Sequence, residues 1–416
     1  MNLLYLTLDS PLPADNGMRQ RTWMLLECLQ RLGCRTTLVA LAEIGAGCRE
    51  RLQAAVGEVH SAPGRASSLA VAASRLAALP AAWPASAWRY RSRTARRLIA
   101  RLLANRAFDA VLADTVFAPV NLPRRHPPLI VNHPDVEHRI LARYAACAPR
   151  PWLRAYARCE AAKLRRWEAA VARRARLSLA CSEEDARVLR QLAIPASLVA
   201  VVPNGVDESY WQPPRRAPEP DCIAFTGALD WFPNRDAVQF FAARILPRLR
   251  ALVPAAKFLV VGRRPPREFV RRICQTPGVE FSGSVDDVRP WLARAAVFAA
   301  PLRIGSGTRL KLLQAGCLGM AMVSTRLGAE GLAFEPEREI LLADDPDAFA
   351  QAIARLLADA GLRQRLGSAA RRHAIERYGY AACRTQLENA LRALLPQTAP
   401  LASRSRSVTA FEEAGA

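Results

Sequence analysis

Arg303-Ile304-Gly305-Ser306-Gly307-Thr308-Arg309-Leu310-Lys311 is the stretch on which the fold and the chemistry of this chain turn. It follows the apolar run Val297–Ala300 and Pro301, and a helical pattern opens near Thr308. Glycines let backbone N–H groups approach a ligand closely, and a helix start adds partial positive charge. Arg303, Arg309 and Lys311 add full charges. A strand, a glycine turn, three cations and a helix together make a diphosphate cradle, where an ordinary loop would need none of them.

Working outward, strand-like and helix-like segments alternate on both sides. Cys222–Thr226, Lys257–Val261, Val279–Ser282, Val297–Ala300 and Met322–Ser324 read as strands of the second half. Asp236–Ala251, Asp347–Asp359, Arg363–Tyr378 and Tyr380–Leu394 read as helices. In the first half, strands are expected at Asn2–Leu8, Arg35–Leu41, Ala110–Leu112, Leu129–Val131 and Leu177–Ala180, with a helix over Met18–Leu32. Alternation of this kind predicts parallel βαβ units. Pro203-Asn204-Gly205-Val206-Asp207 and the prolines at 213, 214, 218 and 220 mark a linker. The expected plan is α/β: a domain over 1–202, a linker over 203–220 and a second doubly wound domain over 221–378. A helix over 379–395 and a disordered tail over 396–416 follow.

The 416 residues are 51% hydrophobic, enough for two cores, which excludes a disordered or disulfide-scaffold protein. The net charge is +22, and only Lys163, Lys257 and Lys311 are lysines. Such a surface attracts anions: phosphorylated substrates, anionic lipid or nucleic acid. The low aromatic content, 7%, and the absence of a zinc-finger or RNP-type pattern argue against nucleic acid. The ten cysteines form no CxxC pair, as suits a reducing, cytoplasmic compartment. The apolar stretch from Leu69 to Trp88 is broken by Arg75, Pro80 and Pro84, so any membrane contact is expected to be peripheral. Two basic stretches, Trp88–Arg101 and Arg150–Arg176, are either solvated helix faces or contacts with anionic lipid.

Pro301–Leu332, ending in Gly328-Ala329-Glu330-Gly331-Leu332, resembles the donor-binding region of retaining glycosyltransferases of family 4. Phe225-Thr226-Gly227-Ala228-Leu229-Asp230-Trp231-Phe232-Pro233-Asn234 is similar to the first strand and loop of that family's C-terminal domain, and Val279–Val285 to its base-holding loop. The nearest branch by resemblance is the sugar transferases of exopolysaccharide (PEP-CTERM/exosortase) systems. The resemblance implies the GT-B fold: two Rossmann-like domains facing an interdomain cleft. It implies a nucleotide-diphosphate-sugar donor, a glycan or lipid-linked acceptor, and no cofactor or essential metal. It also implies a cytoplasmic protein, peripheral on the inner face of the membrane.

Carried over residue by residue, His133, Arg309 and Lys311 are the expected catalytic residues. Gly17, Gly227, Asn234, Gly283, Val285, Arg303, Gly305, Ser306, Gly307, Thr308, Leu310 and Gln314 are the expected donor-binding ones. Two departures stand out. The family's paired glutamates correspond to Ser306 and Gln314, and its Arg and Lys after the first C-domain strand correspond to Ala228 and Asn234. Arg235, Arg309 and Lys311 are the candidates to replace that charge. Asp345-Pro346-Asp347 spells a metal motif, but its place before a helix predicts an N-cap. A non-catalytic scaffold and a sugar-nucleotide epimerase of similar fold remain alternatives. A nicotinamide oxidoreductase is disfavoured, since the Asp9–Gly17 loop lacks GxGxxG spacing.

Overall fold

The structure is a computed structural model that describes residues 1–63, 83–148, 150–193, 198–305 and 307–394. By internal contacts the chain divides into two units. The first is Met1–Asn204 with the described residues from Cys383 on; the second is Gly205–Ala382. No helix among the described residues is long and apolar enough to cross a membrane.

The first unit holds β1 (Asn2–Thr7), helix α1 (Gly17–Arg31), β2 (Arg35–Ala40), β3 (Gly57–Ser61), α2 (Arg93–Asn105) and β4 (Ala110–Asp114). It continues with β5 (Leu129–His133), α3 (Glu137–Cys147), α4 (Pro151–Arg174), β6 (Leu177–Ala180) and β7 (Leu198–Val201). The sheet order is β3-β2-β1-β4-β5-β6-β7, with every pair parallel. β4 and β5 are buried along their whole length, as strands covered by helices on both faces must be.

The second unit contains β8 (Glu219–Ala228), α5 (Phe232–Phe240), β9 (Lys257–Arg263), β10 (Val279–Phe281), β11 (Ala295–Ala300), α6 (Leu310–Cys317), β12 (Ala321–Ser324) and β13 (Leu341–Leu342). Their order is β10-β9-β8-β11-β12-β13, again all parallel. Ile223, Phe225 and Val260 enter one core, and Cys222, Ala224 and Leu259 the other, so both faces of this sheet are buried. The helix Tyr380–Arg392 begins in this unit, and from Cys383 its residues belong to the first.

Two expectations need correction. The single helix over Asp236–Ala251 is α5, a π-turn at Phe241–Ile245 and a further helix Leu246–Leu252. Pro247 has no N–H to donate, and the widened turn sits immediately before it. The helix expected from Thr308 starts at Leu310, so the glycine loop precedes it instead of forming its first turn. Asp345 is an N-cap as expected, accepting from the N–H groups of Asp347 and Ala348. The proposed disordered tail lies outside the described residues, as does Ser306.

Candidate active site

In each sheet the strand order reverses once, between β1 and β4 and between β8 and β11. Open parallel sheets gather ligands at the carboxyl ends of strands beside such a reversal. In the second unit two loops leave that point: one after β8, leading into α5, and the glycine loop after β11, leading into α6. Gly227, Asn234 and the expected donor residues between Arg303 and Gln314 lie on these loops or on the elements that flank them.

A hydrogen bond links the helices they lead into. Lys311 Nζ, in the first turn of α6, donates to Asn234 Oδ1 of α5 at 2.7 Å. Asn234 is buried and fixed in turn, its Nδ2 donating to Ala228 O at 2.8 Å. The Lys311 ammonium also lies 4.0 Å from the centre of the Phe225 ring. Among the described residues no carboxylate pairs with it. Burial, and then the nearby Arg309 charge, hold its pKa well below the usual lysine range. Gly227 makes the approach possible, because a Cβ there would stand 2.8 Å from Asn234 and 3.0 Å from Lys311 Nζ. A half-buried amine whose neighbours are an amide, an aromatic face and another cation is arranged for an anion.

Arg309 completes the cluster. It is buried, and its Nη1 donates to Gly307 O, folding the guanidinium back over its own loop. Gly305 has φ +147°, and a Cβ on it would lie 2.7 Å from Arg309 Nη2. Gly307 has φ +70°. Both glycines are therefore demanded by backbone shape or side-chain approach. Thr308 is buried beside them, and Gln314 lies half-buried one turn below Leu310.

The other expected donor residues are placed differently. Arg303 grips Asp236 through Nε and Nη2 at 3.1 and 2.7 Å and covers the Phe240 ring at 4.3 Å. Its charge is paired with Asp236 of α5. The Leu310 side chain is a core residue, and Val285 packs against the same core, so only their backbones remain for a ligand. Gly283 has φ +76° and open space around it. Gly17 is the first residue of α1, capped by Asn16 Oδ1.

In the first unit His133 is the last residue of β5 and is 1% exposed. Its Nε2 lies 3.3 Å from Ser178 Oγ, and among the described residues its Nδ1 has no partner. Burial and the Arg21 charge push its pKa down to about 3, so the ring is neutral. Sequence reasoning missed Arg21. This guanidinium is buried under the carboxyl edge, with Nε on Asn132 Oδ1 at 2.8 Å and Nη1 on Val202 O at 2.8 Å and Asn204 Oδ1 at 3.0 Å. Asn132 passes the contact on to Asp114, which also accepts from Thr22 and Tyr5. The signal was present: Arg21, Leu25 and Cys28 share the buried stripe of α1. Glu137, at the start of α3, is a second perturbed group. Burial, Asp135 and Glu168 push its carboxyl up to about 8.

Comparison with known proteins follows the same division. Residues 15–210 match the model of the Glycosyltransferase Family 4 domain, and residues 220–359 that of Glycosyl transferases group 1. No curated protein sequence matches the chain. Among solved structures, HepE of Anabaena in complex with UDP is similar at TM-score 0.64 and 14% identity, covering 94% of this chain and 100% of that one. Sucrose-phosphate synthase of Thermosynechococcus elongatus gives 0.67 and 16%, covering 95% and 99%. A glycosyltransferase of Rickettsia africae gives 0.63 and 12%, covering 95% and 99%. At such identities the likeness is one of fold.

Proposed function

Because the chain is a glycosyltransferase of the GT-B fold, built from a family 4 domain and a group 1 domain, we propose that it is a retaining enzyme of exopolysaccharide or cell-envelope glycan synthesis. It would move a sugar from a nucleotide-diphosphate-sugar to a glycan or lipid-linked acceptor. The carrying observation is the Lys311–Asn234 bridge beside Arg309. It supports a diphosphate seat at the strand-order reversal of the second sheet.

In this mechanism the bond between the sugar's anomeric carbon and the diphosphate oxygen breaks as the acceptor oxygen bonds to the same face. The acceptor proton passes to a diphosphate oxygen. Arg309 and Lys311 stabilise the charge that develops on the leaving group, and the loop around Gly305 and Gly307 lets backbone approach it. Neutral His133 is assigned to a hydroxyl of the transferred sugar. A carboxylate nucleophile plays no part. A lipid-linked acceptor would bring the chain to the inner face of the cytoplasmic membrane.

The supporting likeness includes HepE, whose solved complexes contain UDP and UDP-glucose. Titration calorimetry of UDP, GDP and ADP tests the reading. One binder in the micromolar range, weakened by Arg309→Ala or Lys311→Ala, supports it and names the base. Failure of a folded protein to bind any of the three would leave the chain a non-catalytic scaffold. The anomeric configuration of the product, read by NMR, tests retention.

A further inference from the structure

The loop between β8 and α5 carries an indole that the fold does not use. Trp231 is 52% exposed. Among the described residues its ring stacks on no other aromatic and on no cation, and its Nε1 donates to nothing. By contrast, Trp83 packs on Trp88 and Trp167, and Tyr210 lies against Trp211 with Arg289 over its ring at 3.7 Å.

The exposed indole stands on a pinned backbone. Leu229 N donates to Arg263 O at 2.8 Å, and Trp231 N to Ala228 O at 3.3 Å. Trp231 O accepts from the N–H groups of Asn234 and Arg235 at 3.2 and 3.3 Å. Arg235 Nη1 holds Leu229 O at 2.7 Å, and the Leu229 side chain is buried in the core. A side chain on so fixed a loop loses little further freedom when a ligand packs on it. The loop lies at the carboxyl edge of β8, and Trp231 is three residues before the Asn234 that Lys311 grips.

Polar groups accompany it. Asp230, the preceding residue, is exposed, and its carboxylate meets Arg264 Nη1 of the loop after β9 only at 4.0 Å. Arg264 has φ +51°, a left-handed conformation that strains a residue with a side chain, and its N–H reaches Ser284 Oγ of the loop after β10 at 3.3 Å. Three successive loops at this edge of the sheet are thus joined around an indole, a carboxylate and a guanidinium that remain open to solvent.

A pyranose offers an apolar face of C–H groups and a rim of hydroxyls that donate and accept. An indole matches the face. A carboxylate accepts from the hydroxyls, and a guanidinium donates to them. We propose that Trp231 is the platform on which a pyranose ring packs during transfer, with Asp230 and Arg264 taking its hydroxyls. The ring is that of the donor's sugar or of the acceptor glycan. The inference deepens the reading of Lys311 and Asn234 as the diphosphate seat, but part of its test stands apart from that reading.

Trp231→Ala keeps the backbone bonds of the loop and removes only an exposed ring, so its melting temperature should match that of the native chain. Calorimetry compares the two proteins on UDP, GDP and ADP and on the glucose conjugate of each. An array of immobilised oligosaccharides compares them on carbohydrate alone. If the ring is the donor's sugar, the conjugate loses on the order of tenfold in affinity while the bare nucleotide binds as before. If it is the acceptor's, both nucleotides bind as before and the array signal falls by a similar factor. In either case Trp231→Phe recovers part of the loss. Equal weakening of nucleotide and conjugate would place the indole on the base and overturn the proposal. Unchanged binding in both measurements, or a native chain without array signal whose conjugate binds no tighter than the nucleotide, overturns it as well. A native chain that binds no nucleotide yet gives an array signal dependent on Trp231 would sink the donor reading and leave this one standing.

Discussion

Lys311 and Asn234, 77 positions apart, close the gap between the loops after β8 and β11 through one 2.7 Å hydrogen bond. The bond brings a cation to the end of the loop after β8, where Asn234 itself carries no charge. Lys311→Met is expected to weaken nucleotide-diphosphate binding by at least about tenfold, the scale of one charge-assisted hydrogen bond. It should leave the melting temperature unchanged or higher, because it removes a half-buried charge that no acid among the described residues compensates. Calorimetry and thermal melts on one preparation separate the two effects. Lower stability with undiminished affinity would show that the lysine serves the fold.

Gly227→Ala attacks the same bridge from the backbone side. The new methyl would stand 2.8 Å from Asn234 Cγ and 3.0 Å from Lys311 Nζ. Both side chains must move, at a cost of about 1–3 kcal/mol. Donor affinity should fall as in the Lys311 variant. A melting temperature lowered by a few degrees with intact affinity would mean that the bridge re-forms elsewhere.

The strands that carry the site were legible because they are central. β1, β4, β8, β9 and β11 are buried on both faces, and continuous apolar runs result. β3 (Gly57–Ser61) is a half-covered edge strand of mixed polarity, and β7 (Leu198–Val201) is a half-covered edge strand only four residues long, too short for its apolar run to stand out. The glycines at 227, 305 and 307 were legible as close-approach positions. Side-chain destinations were not, because they depend on which loops meet in space. Arg303 turned to Asp236, Leu310 and Val285 turned to the core, and Arg21 went inside, where a cation on a helix ordinarily reads as solvated.

Arg21→Met tests how far the edge of the first sheet depends on that buried cation. The variant strands Asn132 Oδ1, Val202 O and Asn204 Oδ1, three acceptors that Arg21 now serves. It also removes the positive charge that Asp114 faces through Asn132. The expected loss is about 3 kcal/mol of unfolding free energy in a denaturant titration. A loss below about 1 kcal/mol would show that water replaces the guanidinium at this edge.

Glu137 predicts a pH dependence of stability. Its carboxyl, raised by burial and by Asp135 and Glu168 to about 8, keeps its proton at neutral pH in the folded chain. The unfolded chain releases that proton above the ordinary glutamate pKa of about 4.3. The unfolded state therefore binds fewer protons across this window, and stability falls as pH rises from there to about 8. Glu137→Gln should remove this slope and raise the melting temperature at pH 8 relative to the native chain. Identical pH profiles for the two proteins would place the Glu137 carboxyl in solvent.

His133 carries the opposite slope and a kinetic signature. With its pKa pushed down to about 3, the folded ring stays neutral while the unfolded histidine takes a proton below about pH 6.5. Stability contributed by the neutral ring is thus present above that pH and is lost on acidification, by up to about 1.4 kcal/mol per pH unit. In transfer assays the ring should contribute no titration between pH 5 and 8, since the same neutral species is present throughout. Removing it by His133→Ala should lower kcat on the order of 10- to 100-fold through loss of one positioned sugar contact, and leave the shape of the pH–rate curve unchanged. An acid limb near pH 6.5 that disappears in His133→Ala would instead show that the imidazole is exposed to protons during the reaction. That result would mean burial and Arg21 do not hold it neutral.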